Sequence, residues 1–162
     1  MKLATFLKPT IFPGIRHTSQ VDYYEIAAID RVCFANPWAV DDLTRILKGQ
    51  YTLSIVAEDR GLIQGYAIYE LLPIRVNLLR LAVSPDHRGH GVGTRLIERV
   101  KAKLSIGGRL RLKIHVRESN LDAQLFLRSQ GFRANKIEHG HFRDTKEDAY
   151  VMTYSIDRGD IQ

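Results

Sequence analysis

Three glycines at alternate positions, Gly89, Gly91 and Gly93, follow an apolar run that ends at Val83, and a helical pattern begins at once behind them. Glycine lets the backbone take positive φ and approach a ligand with no Cβ in between. A helix entered at Gly91 to Thr94 would aim its unpaired first-turn N–H groups, and the positive end of its dipole, back into that loop. Arg88 adds a full positive charge beside them. Residues of these types at this spacing, Arg88, Gly89, His90, Gly91, Val92, Gly93 and Thr94, make a cradle for a pyrophosphate. No Gly-Lys-Ser/Thr closes the loop, so it is not a Walker A site. Gly89-x-Gly91-x-Gly93 also departs from G-x-G-x-x-G, and no matching acidic ribose partner follows, which argues against a dinucleotide site.

A second candidate is His115. The run Leu110 to Arg117 alternates strictly, with Leu110, Leu112, Ile114 and Val116 on one face and Arg111, Lys113, His115 and Arg117 on the other. Arg111 and Lys113 on the same face as His115 favour the neutral imidazole, the form that can take a proton. The pair His139-x-His141 has too few partners nearby for a metal, so a solvated loop is expected there and no metal. No Ser/His/Asp or Cys/His grouping suggests a covalent nucleophile. Phe34 and Trp38 can either line a substrate mouth or pack as core beneath the first loop.

These residues need a frame to hold them. Ile15–Thr18 reads as a short strand, and a helical pattern from Asp22 to Cys33 places Ile26 and Ile29 at core spacing. Asn36-Pro37-Trp38 breaks it before a second short helix over Val40–Leu47, with Asp41 and Asp42 in its first turn. Tyr51–Glu58 and Leu62–Leu72 read as a hairpin turning at Asp59-Arg60-Gly61. Asn77–Val83 is a nearly continuous apolar strand, as expected of one covered on both faces. The helix Gly91–Leu104 follows, with Leu96, Ile97, Val100 and Leu104 on one side. After the strand with His115, Asn120 can cap a helix that runs to Gln130 and stops at Gly131. Phe132–Glu138 and Asp148–Ile156 then close the chain as a strand pair around a polar loop. The resulting class is α+β with a mixed sheet.

Composition sets the outer limits. A chain of 162 residues, 44% hydrophobic and 26% charged, suits one domain with a real core, residues 15–162, preceded by an N-terminal extension, residues 1–14. The extension is broken by Lys8, Pro9 and Pro13, and no segment has the apolar length of a membrane span. Cys33 is the single cysteine. It sits in the apolar stripe of the first helix, where a small buried hydrophobe is expected, and a cytoplasmic location follows from the absence of any possible intrachain disulfide. The net charge of +6 suits an anionic ligand. The basic residues are scattered rather than clustered among aromatics, so direct nucleic-acid binding is not expected.

Arg88-Gly89-His90-Gly91-Val92-Gly93 fits the R/Q-x-x-G-x-G/A motif, and in this the chain resembles the GNAT superfamily of acetyl-CoA-dependent N-acetyltransferases. Cys33-Phe34-Ala35-Asn36-Pro37-Trp38, Val116-Arg117-Glu118-Ser119-Asn120 with Gln130-Gly131-Phe132, and Glu147-Asp148-Ala149-Tyr150-Val151-Met152 are similar to segments of its RimI-type N-terminal alanine acetyltransferases of ribosomal proteins. The resemblance spans about Ile15 to Ile156. It implies a GNAT fold in which a splayed parallel strand pair forms the acetyl-CoA cleft. Leu81, Ala82 and Val83 would meet the pantetheine arm, the loop Arg88–Thr94 would hold the pyrophosphate, and Asn120 would bond the pantetheine end. His115 would be the base, and Phe34, Trp38, His141 and Phe142 would surround the acceptor. It implies direct transfer of acetyl to a primary amine, most simply a protein N-terminus, by a monomer or homodimer. Two alternatives stay open, a small-molecule amine as acceptor and a catalytically weak acetyl-CoA-binding module. The second is motivated by Leu127, which stands where the family usually carries a tyrosine that protonates the leaving thiolate. A further departure is His141-Phe142, where peptide-acetylating relatives often have a tyrosine pair.

Overall fold

A computed structural model describes residues 13–160, so most of the extension lies outside the described residues. The elements are β1 (Gly14–His17), α1 (Tyr23–Cys33), α2 (Val40–Ile46), β2 (Thr52–Asp59), β3 (Leu62–Leu71), β4 (Arg75–Val83), α3 (Val92–Lys101), β5 (Arg111–Arg117), α4 (Leu121–Ser129), β6 (Arg133–Phe142) and β7 (Glu147–Ser155). Their order is the one that periodicity predicts. The largest differences in extent are in β6, which runs four residues further, through His139 and His141, and α3, which ends three residues earlier, at Lys101; β4 starts two residues earlier.

Seven strands form one sheet in the order β1-β2-β3-β4-β5-β7-β6. Every neighbouring pair is antiparallel except β4 and β5. One face carries the larger core, in which Leu96, Ile97 and Val100 of α3 pack with Val76, Leu78, Leu112 and Val116, and Leu127 of α4 closes the layer. The other face carries Ile26 and Ile29 of α1 and Leu43 of α2 on Val56, Tyr66 and Ile68. Both helical layers follow from the apolar stripes of their sequences. Among the described residues no helix is long and apolar enough to cross a membrane.

Two irregularities in β4 shape what lies between the layers. Its register with β3 steps from Leu78↔Tyr69 to Arg80↔Ile68, so Leu79 is an extra, bulged residue. A bulge reverses which face later residues point to. Val76 and Leu78 belong to the larger core before it, and Leu81 and Val83 pack there after it. Arg80 and Ala82 turn to the α1 side; Ala82 is buried there. The second irregularity is the short pairing with β5, which covers only Arg75↔Arg111, Val76↔Leu112 and Asn77↔Lys113. Beyond Asn77 and Lys113 the two parallel strands separate, while each keeps its antiparallel partner on the other side.

Candidate active site

The split between β4 and β5 opens at the level of His115. Near its base is a cavity of about 260 Å³ bordered by Asn77, Leu78 and Leu79 of β4, Lys113 and His115 of β5, and His141 and Phe142 of β6. Sequence positions far apart therefore meet here. His141 does not lie in a loop, because β6 continues to Phe142, and though exposed it reaches His115. Its ring stacks on that of His115, with centroids 4.2 Å apart and planes 4° from parallel.

Glu138 holds the two imidazoles together. Its Oε2 lies 2.9 Å from His115 Nε2 and 3.0 Å from His141 Nδ1. Partial burial draws the Glu138 carboxyl upward, but Lys136 and His115 outweigh it and hold the group below the usual carboxylate range. An ionised carboxylate only accepts hydrogen bonds, so His115 donates from Nε2 and keeps its lone pair on Nδ1. Burial pushes the His115 imidazole below its ordinary value, the neighbouring His141 pushes it further, and Glu138 pulls the other way. The direction matches the sequence expectation, but Lys113 is a minor cause and burial the main one.

Two histidines and a carboxylate within reach of one another are also a metal-ligand set, with ligand atoms within 4.8 Å. The expectation of too few partners around His141 is therefore corrected: His115, brought in by the fold, and Glu138, three residues before it, complete a set of three. The ring geometry does not fit a metal. Imidazole binds a metal in its own plane at about 2.0–2.1 Å, and two stacked parallel rings share no in-plane point.

The segment between α1 and α2 is held in place through Arg80. Its guanidinium lies 4.1 Å from the Phe34 ring centroid and 4.0 Å from that of Trp38. Phe34 and Trp38 are half-buried and pack against the α1-side core, and neither borders the cavity beside His115. Arg80 also pairs with Asp30 and donates to the Asn36 carbonyl at 3.0 Å. Asp30 is fully buried and also accepts from the Tyr66 hydroxyl and the Trp38 N–H. On the far side of the opening Arg117 lies 4.0 Å from the Phe142 ring centroid and donates to Asp144 at 2.7 Å, fixing the β6–β7 turn.

The loop between β4 and α3 has the form that its glycines suggest. Gly89 and Gly91 sit at φ +75° and +81°, and Gly91 caps α3. A Cβ at Gly89 would meet no atom within 4 Å, so that position faces open space. A Cβ at Gly93 would come within 3.0 Å of Phe126, so this glycine serves packing between α3 and α4 instead. The N–H groups of Val92, Gly93 and Thr94 have no intrahelical acceptor by geometry and point into the loop. The Thr94 hydroxyl accepts from Gln130 Nε2 at 3.0 Å, and His90 Nδ1 lies 2.9 Å from the Arg88 carbonyl. Arg88 donates from Nε to the Val83 carbonyl at 3.1 Å and from Nη2 to Cys33 Sγ at 3.2 Å. Cys33 is therefore half-buried at the edge of this loop rather than enclosed in the core, and the Val83 carbonyl is already engaged. Asn120 caps α4, its Oδ1 accepting from Ala123 N–H at 3.1 Å, which leaves its amide N–H groups for another partner. Positive-φ glycines, free helix N–H groups and an arginine beside an unpaired strand edge fit a pyrophosphate with an extended arm.

Sequence reading passes over Asp30, Arg80 and Glu138. A charge inside an apolar stripe marks the first two: Asp30 follows Ile26 and Ile29, and Arg80 stands between Leu79 and Leu81. Nothing local marks Glu138, whose role depends on the pairing of three strands.

The same fold and family recur among known proteins. The family model described as Acetyltransferase (GNAT) domain matches residues 50–134. The chain is 28% identical over 130 residues to the ribosomal protein bS18-alanine N-acetyltransferase of Escherichia coli K12, covering 79% of this chain and 87% of that protein. The crystal structure of the ribosomal-protein-S18-alanine N-acetyltransferase from Escherichia coli superposes with a TM-score of 0.78 at 25% identity, over 92% of this chain and 98% of that one. The fold is also that of Arabidopsis thaliana NAA60 in complex with a bisubstrate analogue, with a TM-score of 0.80 at 20% identity over 89% of this chain and 99% of that one.

Proposed function

The chain belongs to the GNAT acetyltransferase family, and from that premise we propose that it transfers acetyl from acetyl-CoA to the α-amine of a peptide or protein N-terminus, with His115 as general base. The observation that carries the reading is the placing of His115 at the point where β4 and β5 part, in a cavity that it shares with the His141-Phe142 strand end. The similarity to the E. coli bS18-alanine N-acetyltransferase supports an N-terminal amine as the acceptor class.

Acetyl-CoA supplies an activated acetyl thioester. The main chain of the Arg88–Thr94 loop holds its pyrophosphate, the unpaired edge of β4 around Leu81 receives its pantetheine arm, and the Asn120 amide donates to that arm's end. Holding amine and thioester in one cleft provides much of the acceleration. The amine attacks the carbonyl carbon, and the bond to sulfur breaks. His115 Nδ1 takes the proton that the nitrogen sheds, and Glu138 steadies the imidazolium that results. An α-amine, with a pKa of about 7.7–8.0, asks less of this base than a lysine at about 10.4. Leu127 lies buried in the core, 2% exposed, and donates nothing. A thiol of pKa about 8.5 leaves as thiolate without an acid.

The test is release of CoA from acetyl-CoA with a panel of N-terminal peptides and small amines. Turnover of peptides, lost on blocking their N-termini, is the expected result. Turnover of small amines alone would replace this reading with a small-molecule acceptor.

A further inference from the structure

Resting on the peptide-acceptor reading, we propose that the preferred acceptor carries a carboxylate directly after its N-terminal residue, as a peptide with Asp or Glu at its second position does, and that Lys113, backed by Arg111 and Arg75, receives it. The parallel register sets Arg75 beside Arg111 and Asn77 beside Lys113. Register partners, and residues two apart on a strand, share a face. Arg75, Asn77, Arg111, Lys113 and His115 therefore line one face, with three cations leading to the base. Among the described residues no ion pair joins any of these cations to a carboxylate. Arg75 donates instead to Asn77 Oδ1 at 3.2 Å. The carboxylate of Glu70, register partner of Asn77 on β3, is held by the Asn77 amide at 3.3 Å. Lys113 is half-buried and borders the cavity together with His115, and no residue bordering that cavity is acidic. Gathering like charges at a partly desolvated position is unfavourable unless an anion joins them.

Spacing selects the kind of anion. His115 and Lys113 are two residues apart on β5, about 6.6 Å along the strand. In a free α-amino acid the amine nitrogen and the carboxylate carbon are only about 2.5 Å apart, too close to serve both groups. The side-chain carboxylate of a second residue spans the larger distance.

The experiment measures kcat/KM on peptides identical except for Asp, Ala or Lys at position two. Asp is expected to exceed Ala by roughly five- to tenfold, and Lys to fall below both. Lys113→Glu should invert the order and Lys113→Met should flatten it, each with acetyl-CoA affinity retained as the check on folding. Arg128→Glu alters net charge equally at an exposed residue of α4, on the opposite face of the sheet, and should leave the order intact. Equal rates on the three peptides, an order unchanged in Lys113→Glu, or free aspartate acetylated as well as the Asp peptide would each overturn the proposal. Those outcomes leave the peptide-acceptor reading standing, whereas no turnover of any peptide overturns both.

Discussion

His115 and His141 lie face to face over a single oxygen of Glu138, their rings 4.2 Å apart and 4° from parallel. The carboxylate fixes the proton of His115 on Nε2, and the stack limits how the ring can turn. His115 is thus oriented by a residue 23 positions away on a strand that does not pair with its own.

Replacing His115 by alanine should lower turnover by about 10²- to 10⁴-fold, the usual contribution of a positioned base. Acetyl-CoA affinity should stay within a factor of two or so of wild type, since the cradle lies at the other end of β4. Steady-state rates beside equilibrium binding separate the two quantities. Wild-type turnover in His115→Ala removes this residue as the base.

The pH profile should move in opposite directions in two neighbouring variants. Activity needs neutral His115, whose folded value is depressed by burial and then by His141. The acid limb of kcat/KM therefore falls below about pH 6.5, the ordinary histidine value. Glu138→Gln removes the group that pulls His115 upward, so the limb shifts to lower pH. His141→Ala removes a group that pushes it down, so the limb shifts to higher pH. The same depression links to stability. The contribution is present above about pH 6.5, where histidine is neutral in both states, and is lost as pH falls through the folded value. Limbs that coincide in all three proteins would count against the Glu138–His115–His141 arrangement.

Gly91→Val should raise the dissociation constant for acetyl-CoA at least tenfold. The residue sits at φ +81°, where an L side chain costs about 1–2 kcal/mol, and the added atoms stand beside the helix N–H groups. Gly93→Ala tests the other role in the motif. Its Cβ would press on Phe126, so melting temperature should fall more than cofactor affinity. Isothermal titration and thermal melting distinguish the two. Equal affinity in Gly91→Val and wild type refutes the cradle.

How far the site could be read in advance depended on the range of the signals. The form of the β4–α3 loop was legible because everything it needs lies between Val83 and Thr94: a strand end, glycines at fixed offsets and a helix start. His115 was legible because the alternation of β5 shows which residues share its face. The depth at which His115 sits was not, since burial comes from β6, and the extension of β6 to Phe142 runs through His139-Gly140-His141, a stretch with loop composition. The split of β4 from β5 was named only through family resemblance, because pairing that stops at Asn77 leaves no mark on either strand. The bulge at Leu79 was equally silent: Leu78-Leu79-Arg80-Leu81 reads as continuous strand, and Arg80 there has no visible partner until α1 brings Asp30 to it.

That partnership yields a prediction in which stability and specificity separate. Arg80→Ala leaves the fully buried Asp30 carboxylate without its cation, and breaking such a pair by removing one side costs about 3–5 kcal/mol. In a chain of this size each kcal/mol is worth about 2–4 °C, so the melting temperature should drop by roughly 10 °C. Arg80→Met with Asp30→Asn removes both charges and should recover most of that loss, because no isolated buried charge remains. Acceptor binding should not recover in the double variant. The guanidinium packed on the Phe34 and Trp38 rings is still missing, so the segment proposed to border the acceptor is less constrained and the acceptor KM should remain several-fold raised with kcat nearly unchanged. Recovery of both properties together would mean that Arg80 serves only to neutralise Asp30, and that the aromatic clamp does not shape the acceptor site.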